Sequence, residues 1–366
     1  MNMNMDTNIN IDIKVELIKK QLAIPKNTLE QQQKDKNIIQ VYDFFSINNI
    51  NISEKLKQIP FYYLYFDVLT DYTFVKLGQI NKKNIENYET ITRKKDEKYM
   101  IFCYKKKELI KFSHFFLHLP TPKLFVFYII DSYSCLLKNV TTLNNQKICF
   151  FNISHKNIVF DNGFKPIFTN FGESILIDKL DEEYLFNIME HDSDYTLKPL
   201  EVHVLFHLIK NNESTLSYSS VEVICDFFVK NNPLLSLFSL NYKDLFFQTC
   251  SDTLKKYINK PKNYIITDII QHSHTWDNYS LSFLYLYFVG NINKTFSLKN
   301  CFLTKFSVLL NKNLHPDPLK RETIQHTHEL FNKLFEEYSD WSFVNTLQYD
   351  KYKQLLKMIY YQINFI

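Results

Sequence analysis

Three asparagines in the segment 148–174 have residue types and a spacing that could serve chemistry. The segment, ICFFNISHKNIVFDNGFKPIFTNFGES, reads as a strand, a loop ending in Asn157, a tight hairpin and a second strand ending in Asn170. Asn152 lies five residues before Asn157. A side-chain amide is neutral at any working pH, so it cannot act as a base, but it can hold a hydroxyl group by hydrogen bonding. Taken alone, the segment also fits an ordinary asparagine-rich β-hairpin.

The layout of this segment resembles the catalytic core of protein kinases, from the His-Arg-Asp loop to the Asp-Phe-Gly motif. The resemblance places Asn152 at the catalytic aspartate and Asn157 at the metal-binding asparagine. Asn170 stands at the metal-binding aspartate, followed by Phe171 and Gly172. The resemblance therefore implies that ATP binds at Asn157, Asn170, Phe171 and Gly172. It also implies that Asn157 and Asn170 hold Mg²⁺ or Mn²⁺. Because hard cations prefer carboxylates, ATP and metal binding are expected to be weak or absent.

Three later segments match the kinase pattern in the correct order. Pro199-Leu200-Glu201 resembles the Pro-Glu end of the activation segment, Asp277 resembles the aspartate that opens the buried helix of the large lobe, and Arg321 follows an Asp-Pro pair. The resemblance implies a buried bidentate pair between Glu201 and Arg321. It also implies that Asp277 accepts backbone hydrogen bonds from the 150–152 loop. Arg321 is one of only two arginines, and lysine cannot reproduce such a fork-to-carboxylate pair.

Several features of the kinase pattern have no match in this chain. Gly78 is the only glycine before the hairpin, so no glycine-rich phosphate loop is visible. No Val-Ala-x-Lys strand stands out either. Because this strand supplies the lysine of the lysine–glutamate ion pair, that ion pair is expected to be missing. Lys76 is a poor candidate for the phosphate lysine. Residues 104–106 would border the adenine pocket.

The fold is expected to be α+β, with the bilobal arrangement of a protein kinase. The expected parts are a polar tail at 1–37, a reduced β-rich N-lobe at 38–104 and an enlarged helical C-lobe at 105–366. The C-lobe carries a packed insertion at about 211–270. Divergent kinase-like proteins of giant DNA viruses resemble this chain in three ways: an amino-acid composition typical of an AT-rich genome, a reduced small lobe and an insertion.

Local patterns predict individual elements of this arrangement. Residues 88–92 and 99–104 are expected to form a β-hairpin, Ser53 to cap the start of a short helix, and Asp161-Asn162-Gly163 to form a type I′ turn. Apolar spacing predicts a long helix over 121–145, with Pro122 in its first turn. Further helices are expected near 199–210, 219–231, 241–258, 276–289, 299–313 and 322–338, and an irregular acidic stretch at 173–198.

Composition limits the partners and the compartment of the protein. The net charge of +4 over 366 residues, without lysine runs interleaved with aromatics, argues against nucleic acid as a partner. The six cysteines form no CxxC and lie among apolar residues, which favours free thiols in a reducing compartment. The amino terminus lacks a basic-then-apolar signal. The longest apolar helical stretch, 279–289, is too short to span a bilayer. We therefore expect no membrane association and an intracellular, cytoplasmic location.

Two other features invite alternative interpretations. His203 and His207 share one helix face and could bind zinc, as could the pairs His272/His274 and His326/His328. No HExxH motif or Cys/His quartet accompanies them, so interface or core positions are favoured. The acidic stretch at 178–194 fits a solvated loop, or less well a docking surface for a basic partner.

Glu201, Asp277 and Arg321, which the resemblance implies hold the large lobe together, match the kinase pattern. Asn152 and Asn170 stand where the pattern has its two aspartates. The leading functional hypothesis is a pseudokinase, a regulatory or scaffolding module that engages protein partners. The alternative is a weak or atypical ATP-dependent serine/threonine kinase, since phosphoryl transfer rests largely on positioning and electrostatics. A helical interaction protein unrelated to kinases is a third and more distant hypothesis.

Overall fold

The computed structural model describes residues 36–76, 98–191 and 195–363 as a mixed α+β protein dominated by helices. The strands are β1 (Lys36–Val41), β2 (Phe66–Asp67), β3 (Asp71–Val75), β4 (Tyr99–Tyr104), β5 (Ile110–Lys111), β6 (Ile148–Cys149), β7 (Ile158–Phe160), β8 (Pro166–Thr169) and β9 (Ile175–Leu176). The helices are α1 (Phe44–Leu56), α2 (Phe112–Leu117), α3 (Pro122–Asn145), α4 (Glu182–His191), α5 (Leu200–Lys210), α6 (Tyr218–Lys230), α7 (Leu240–Leu254), α8 (Lys262–Ile270), α9 (Trp276–Phe296), α10 (Phe302–Lys312), α11 (Ile324–Glu337) and α12 (Tyr349–Gln362). Gly78, the strand expected at 88–92 and nearly all of the tail expected at 1–37 lie outside the described residues.

The strands form three small sheets. β4 lies between β1 and β3 and pairs antiparallel with both. A second sheet has the order β2-β8-β7-β5, and β6 pairs with β9. The β6–β9 pair brings together the two ends of the segment that contains the three asparagines. Among the described residues, no helix has both the length and the apolar character needed to cross a membrane.

Helix α1 begins ten residues earlier than a helix capped by Ser53 would. Asp43 is its N-cap: the Asp43 carboxylate accepts from the Ser46 N–H at 2.8 Å, and the Ser46 hydroxyl accepts from the Asp43 N–H at 2.9 Å. This reciprocal capping box stabilises the start of a helix. Ser53 instead lies buried in the last turn, where its hydroxyl accepts from the Leu69 N–H at 3.3 Å. The prediction for Ser53 was wrong because its partner comes from a distant loop.

The hairpin between β7 and β8 is longer than the expected type I′ turn. Such a turn needs positive φ at Asn162 and Gly163, but Phe164 is the residue with positive φ, at 60°. The Asp161 carboxylate accepts from the N–H groups of Gly163 at 2.9 Å and Lys165 at 2.8 Å. These two bonds stabilise a five-residue loop, so the strand pairing resumes at Phe160 and Pro166. The turn type was predicted wrongly.

The large helical part surrounds α9, whose residues are buried along most of its length. The helix predicted at 121–145 is α3, with Pro122 at its start and the Thr121 hydroxyl accepting from the Leu124 N–H at 3.2 Å. The six other predicted helices correspond to α5, α6, α7, α9, α10 and α11. Helices α8 and α12 were not predicted.

Helix α4 corrects the expectation that the stretch 173–198 is irregular. Glu182 and Glu183 in its first turn are exposed, while Leu185, Ile188 and Met189 are fully buried on one face. Asp181 supplies the cap, since its carboxylate accepts from the Tyr184 N–H at 2.8 Å. The helix was not predicted because the many acidic residues of this stretch made its short amphipathic pattern hard to recognise.

The segment expected as an insertion packs directly on the central helix. A 3₁₀ turn at Pro233–Leu237 lies against α9 at Gly290, where an added Cβ would lie 2.6 Å from the Leu237 Cδ1 atom. Any side chain at position 290 would therefore clash with Leu237 unless Leu237 moved. A glycine within α9 therefore makes room for the inserted segment.

We expect Gly290→Val to lower the free energy of unfolding by about 2 kcal/mol, because overpacking a filled contact costs about 1–3 kcal/mol. In a Leu237→Ala background, the same substitution should cost less than half as much. Chemical denaturation of the four proteins of this double-mutant cycle measures the coupling. Additive costs would contradict the contact.

Candidate functional site

The loop that carries Asn152 is held by the first turn of α9. The Asp277 carboxylate accepts from the Phe150 N–H at 2.6 Å and from the Phe151 N–H at 2.8 Å. These are the backbone hydrogen bonds that the sequence predicted. Phe151 has a left-handed backbone with φ of 65°, a conformation that is costly for a residue with a Cβ. Two charge-assisted hydrogen bonds to one buried carboxylate compensate for it.

Lys198 adds a positive charge beneath the same loop. It is 5% exposed, its Nζ donates to the Phe151 carbonyl at 2.5 Å, and it lies 4.0 Å from the centre of the Phe151 ring. Burial raises the pKa of Asp277, whereas the two backbone donors and Lys198 oppose that rise. Sequence analysis missed Lys198, although its position directly before Pro199-Leu200-Glu201 was a possible signal.

The structure brings Asn152, Asn157 and Asn170 into one chain of hydrogen bonds. The Asn157 Nδ2 donates to the Asn152 carbonyl at 3.1 Å, and the Asn170 Nδ2 donates to the Asn157 Oδ1 at 3.3 Å. Asn170 has φ of 63°, which asparagine tolerates better than most residues. The Asn157 side-chain oxygen, which the resemblance implied as a metal ligand, thus accepts a hydrogen bond from Asn170. The three side chains add no negative charge.

Glu173 supplies a carboxylate beside Asn152 that sequence analysis did not single out. The Asn152 Nδ2 donates a hydrogen bond to the Glu173 Oε2. Asn152 is therefore oriented with its amide nitrogen toward this carboxylate. The available signal was the position of Glu173 directly after Gly172. A charge near the catalytic position of the expected pattern is thus present, on a different residue.

Helix α1 fixes the segment that follows Asn170. The Asn48 Nδ2 donates to the Gly172 carbonyl at 2.8 Å and to the Ser174 carbonyl at 2.6 Å, and its Oδ1 accepts from the Tyr184 hydroxyl at 2.6 Å. A Cβ on Gly172 would lie 3.3 Å from the Phe45 carbonyl oxygen, so this residue permits a close backbone approach. The segment is stabilised against the helix by neutral groups.

Phe171 closes the site from the apolar side. Its ring is fully buried and makes edge contacts with Phe66 at 5.9 Å and Phe150 at 5.2 Å between ring centres. Phe150 also stacks on Phe168 at 4.5 Å. Because these rings come from β2, β8 and the loop, the second sheet positions the asparagine cluster.

The buried face of α1 carries two amide side chains. Asn48 and Asn49 are buried, and the Asn49 Nδ2 donates to the Tyr104 hydroxyl at 3.3 Å. The only carboxylate of α1, Glu54, pairs with Lys57 at 2.8 Å on the surface. Lys76, the poor candidate for a phosphate lysine, is exposed one residue beyond β3.

Glu201 and Arg321 form the buried bidentate pair predicted from the sequence. The Arg321 Nη1 donates to the Glu201 Oε1 at 2.6 Å, and its Nη2 donates to the Glu201 Oε2 at 2.8 Å. The Trp276 indole N–H donates to the Glu201 Oε1 at 3.0 Å. The remaining Arg321 donors reach Thr275, His315 and Pro316. All five guanidinium hydrogen bonds are made, which a buried charge requires.

The histidine pair on α5 is engaged in other contacts. The His203 Nε2 donates to the Lys198 carbonyl at 3.2 Å, and the His207 Nε2 lies 3.1 Å from the Glu213 Oε1. Burial lowers the pKa of His203 to about 3, so its ring is neutral. In the described part of the chain, no group of three or more His, Cys, Asp or Glu could hold a metal ion. All six cysteines are free.

Comparisons with known proteins add no family assignment. No protein-family model matches the sequence, and no curated protein matches it. The functional interpretation therefore rests on the residues and on their geometry.

We expect Arg321→Met to lower the free energy of unfolding by about 3–5 kcal/mol, because it leaves the Glu201 charge buried without a partner. Adding Glu201→Gln should recover part of the loss, since the amide is neutral and can still accept from Trp276. The matched control is Lys320→Met, a change at an exposed neighbour that should cost within about 0.5 kcal/mol. Equal losses for the Arg321 and Lys320 variants, measured by denaturant unfolding, would refute the role of the pair.

The low pKa of His203 predicts a pH dependence of stability. The unfolded chain protonates this histidine near its ordinary pKa of 6.5, whereas the folded protein does so only near 3. The stabilisation is therefore complete above pH 6.5 and is lost as the pH falls, by about 1.4 kcal/mol per unit. His203→Gln, which keeps a donor for the Lys198 carbonyl, should lose about 2 kcal/mol less than wild type between pH 6.5 and 5. His328→Gln is the control, and an unchanged pH slope in the His203 variant would contradict the assignment.

Proposed function

We propose that this chain is a protein kinase-like protein with a reduced β-rich N-lobe and an enlarged helical C-lobe, and that it acts as a pseudokinase. Its role would be regulatory or scaffolding, through contacts with protein partners. The observation that carries this proposal is the chain of hydrogen bonds from the Asn170 amide to the Asn157 side chain and from there to the Asn152 backbone carbonyl, in which no side chain is charged. It lies at the positions of the catalytic and metal-binding groups, while the buried pair of Glu201 and Arg321 is intact.

The order and contacts of the elements support the kinase-like arrangement. The strand β1 and the helix α1 precede β3 and β4, with which β1 forms the three-stranded sheet, and α3 leads into the loop and hairpin. The expected contacts of Asp277 with the loop backbone and of Glu201 with Arg321 are all made. These contacts join residues more than a hundred positions apart, so they support one overall arrangement rather than a set of local motifs.

The site chemistry supports loss of phosphoryl transfer. Kinases stabilise the transferred phosphoryl group with metal ions held by an aspartate and an asparagine, and they need a lysine–glutamate ion pair. Here Asn170 donates a hydrogen bond to Asn157, so the two side chains satisfy each other without a cation. The buried face of α1 carries Asn48 and Asn49 in place of a carboxylate. ATP with Mg²⁺ or Mn²⁺ would therefore bind weakly or not at all.

Glu173 favours one alternative, a weak or atypical serine/threonine kinase. Its carboxylate contacts the Asn152 amide and could accept the proton of a substrate hydroxyl that Asn152 orients. This second function requires a bound nucleotide, which makes nucleotide binding the first property to measure.

We expect the melting temperature of the wild-type protein in ATP to be the same with Mg²⁺, with Mn²⁺ and with a chelator. A nucleotide at a hundredfold excess over its Kd would add about 2.7 kcal/mol of stability, so a functional metal site would be detected. A metal-dependent increase in melting temperature would count against the pseudokinase proposal and would call for phosphotransfer assays.

We expect the double variant Asn152→Asp/Asn170→Asp to gain metal-dependent ATP stabilisation, because a carboxylate restores the charge that hard cations prefer. Asn263→Asp, at an exposed position in the first turn of α8, is a control that adds one carboxylate outside the site. If the wild type transfers phosphate and Glu173→Gln abolishes this activity, the alternative function is correct. A double variant that folds but does not respond to metal would argue against the kinase-like site.

A further inference from the structure

A second concave site lies on the outer face of α3, and it shares no lining residue with the asparagine cluster. Its cavity has a volume of about 670 Å³, within the range of about 300–1,000 Å³ typical of small-molecule sites. The walls come from α3, from the end of α11 and from the 3₁₀ turn at Ser342–Thr346. The cavity therefore does not depend on the proposed pseudokinase function.

Aromatic side chains dominate the walls of this cavity. Phe127 and Phe335 line it and are 55% and 40% exposed, whereas Val126 and Ile130 lie buried beneath. Trp341 completes the wall, and its ring is held against Phe335 at 6.1 Å between centres. Exposed aromatic rings around a concave site favour a flat aromatic ligand, since stacking adds to apolar burial.

The charge within the cavity is uneven. Lys123 lines one end, in the first turn of α3, and makes no ion pair with another described residue. The positive end of the helix dipole lies at this turn and also favours an anion. At the other end, Asp131 is paired with Lys165 at 3.1 Å, so its charge is compensated. The unpaired cation at one end points to a carboxylate on the ligand.

We propose that this cavity binds an aromatic monocarboxylate. The rings of the ligand would lie among Phe127, Phe335 and Trp341, and its carboxylate would contact the Lys123 ammonium. Lys123 and Asp131 are eight positions apart and so lie about 12 Å apart along the helix, which gives room for a molecule of two rings.

Intrinsic fluorescence can test this assignment, because the chain has only two tryptophans. Trp341 lines the cavity, whereas Trp276 is fully buried against Glu201. The probes are 4-biphenylcarboxylate and its neutral match, 4-biphenylcarboxamide. We expect a saturable change in emission that Trp341→Phe abolishes, and about tenfold tighter binding of the carboxylate, equivalent to about 1.4 kcal/mol.

Three variants identify the contacts in the folded protein, with circular dichroism to verify folding. Lys123→Gln should weaken binding of the carboxylate about tenfold and leave the carboxamide unchanged. Ser134→Phe should fill the cavity and abolish binding of both probes. Lys138→Gln, a change on the same helix outside the cavity lining, should alter neither. Absence of saturable binding, equal carboxylate affinity in wild type and Lys123→Gln, or binding that persists in Ser134→Phe would each overturn the proposal.

Discussion

The arrangement of the large helical part depends on the buried ion pair between Glu201 and Arg321. Removing two charges from water costs several kcal/mol each, so such a pair persists only when every donor has a partner. Arg321 meets this condition by binding Glu201, Thr275 and the backbone before α11. The pair thereby fixes the start of α5 and the start of α9 relative to each other. A lysine could not form these bonds, since it lacks the planar fork.

The position of α9 in turn determines the shape of the functional loop. Asp277 follows Trp276, which contacts Glu201, so the ion pair and the loop contact lie within one helical turn. The Asp277 carboxylate accepts hydrogen bonds from the N–H groups of Phe150 and Phe151. These bonds offset the energetic cost of the left-handed conformation of Phe151. Lys198 stabilises the same peptide from below. The frame of the site is therefore a set of charged, fully hydrogen-bonded contacts in an apolar core.

The three asparagine side chains held by this frame are neutral, and the Glu173 carboxylate accepts a hydrogen bond from the Asn152 amide. The Asn170 amide donates to the Asn157 side chain, which donates to the Asn152 backbone carbonyl. Helix α1 adds Asn48, which binds two carbonyl groups of the segment after Asn170. An amide can donate and accept at once, so these side chains close a stable network without a cation. The structure thus combines a frame of buried charged contacts with a cluster of three neutral asparagine side chains.

The sequence by itself determined the elements with a clear apolar period, and spacing predicted α3, α5 and α9. The pair of Arg321 with Glu201 was implied by the resemblance to protein kinases, and the presence of only two arginines in the chain supported it. Only the tertiary structure decided that Asp43 rather than Ser53 caps α1, that Glu173 contacts Asn152, and that aromatic rings from α3 and α11 enclose a cavity. A helical period can be recognised from residues that are close in the sequence. These hydrogen bonds and cavity walls instead join side chains that come together only when distant segments pack.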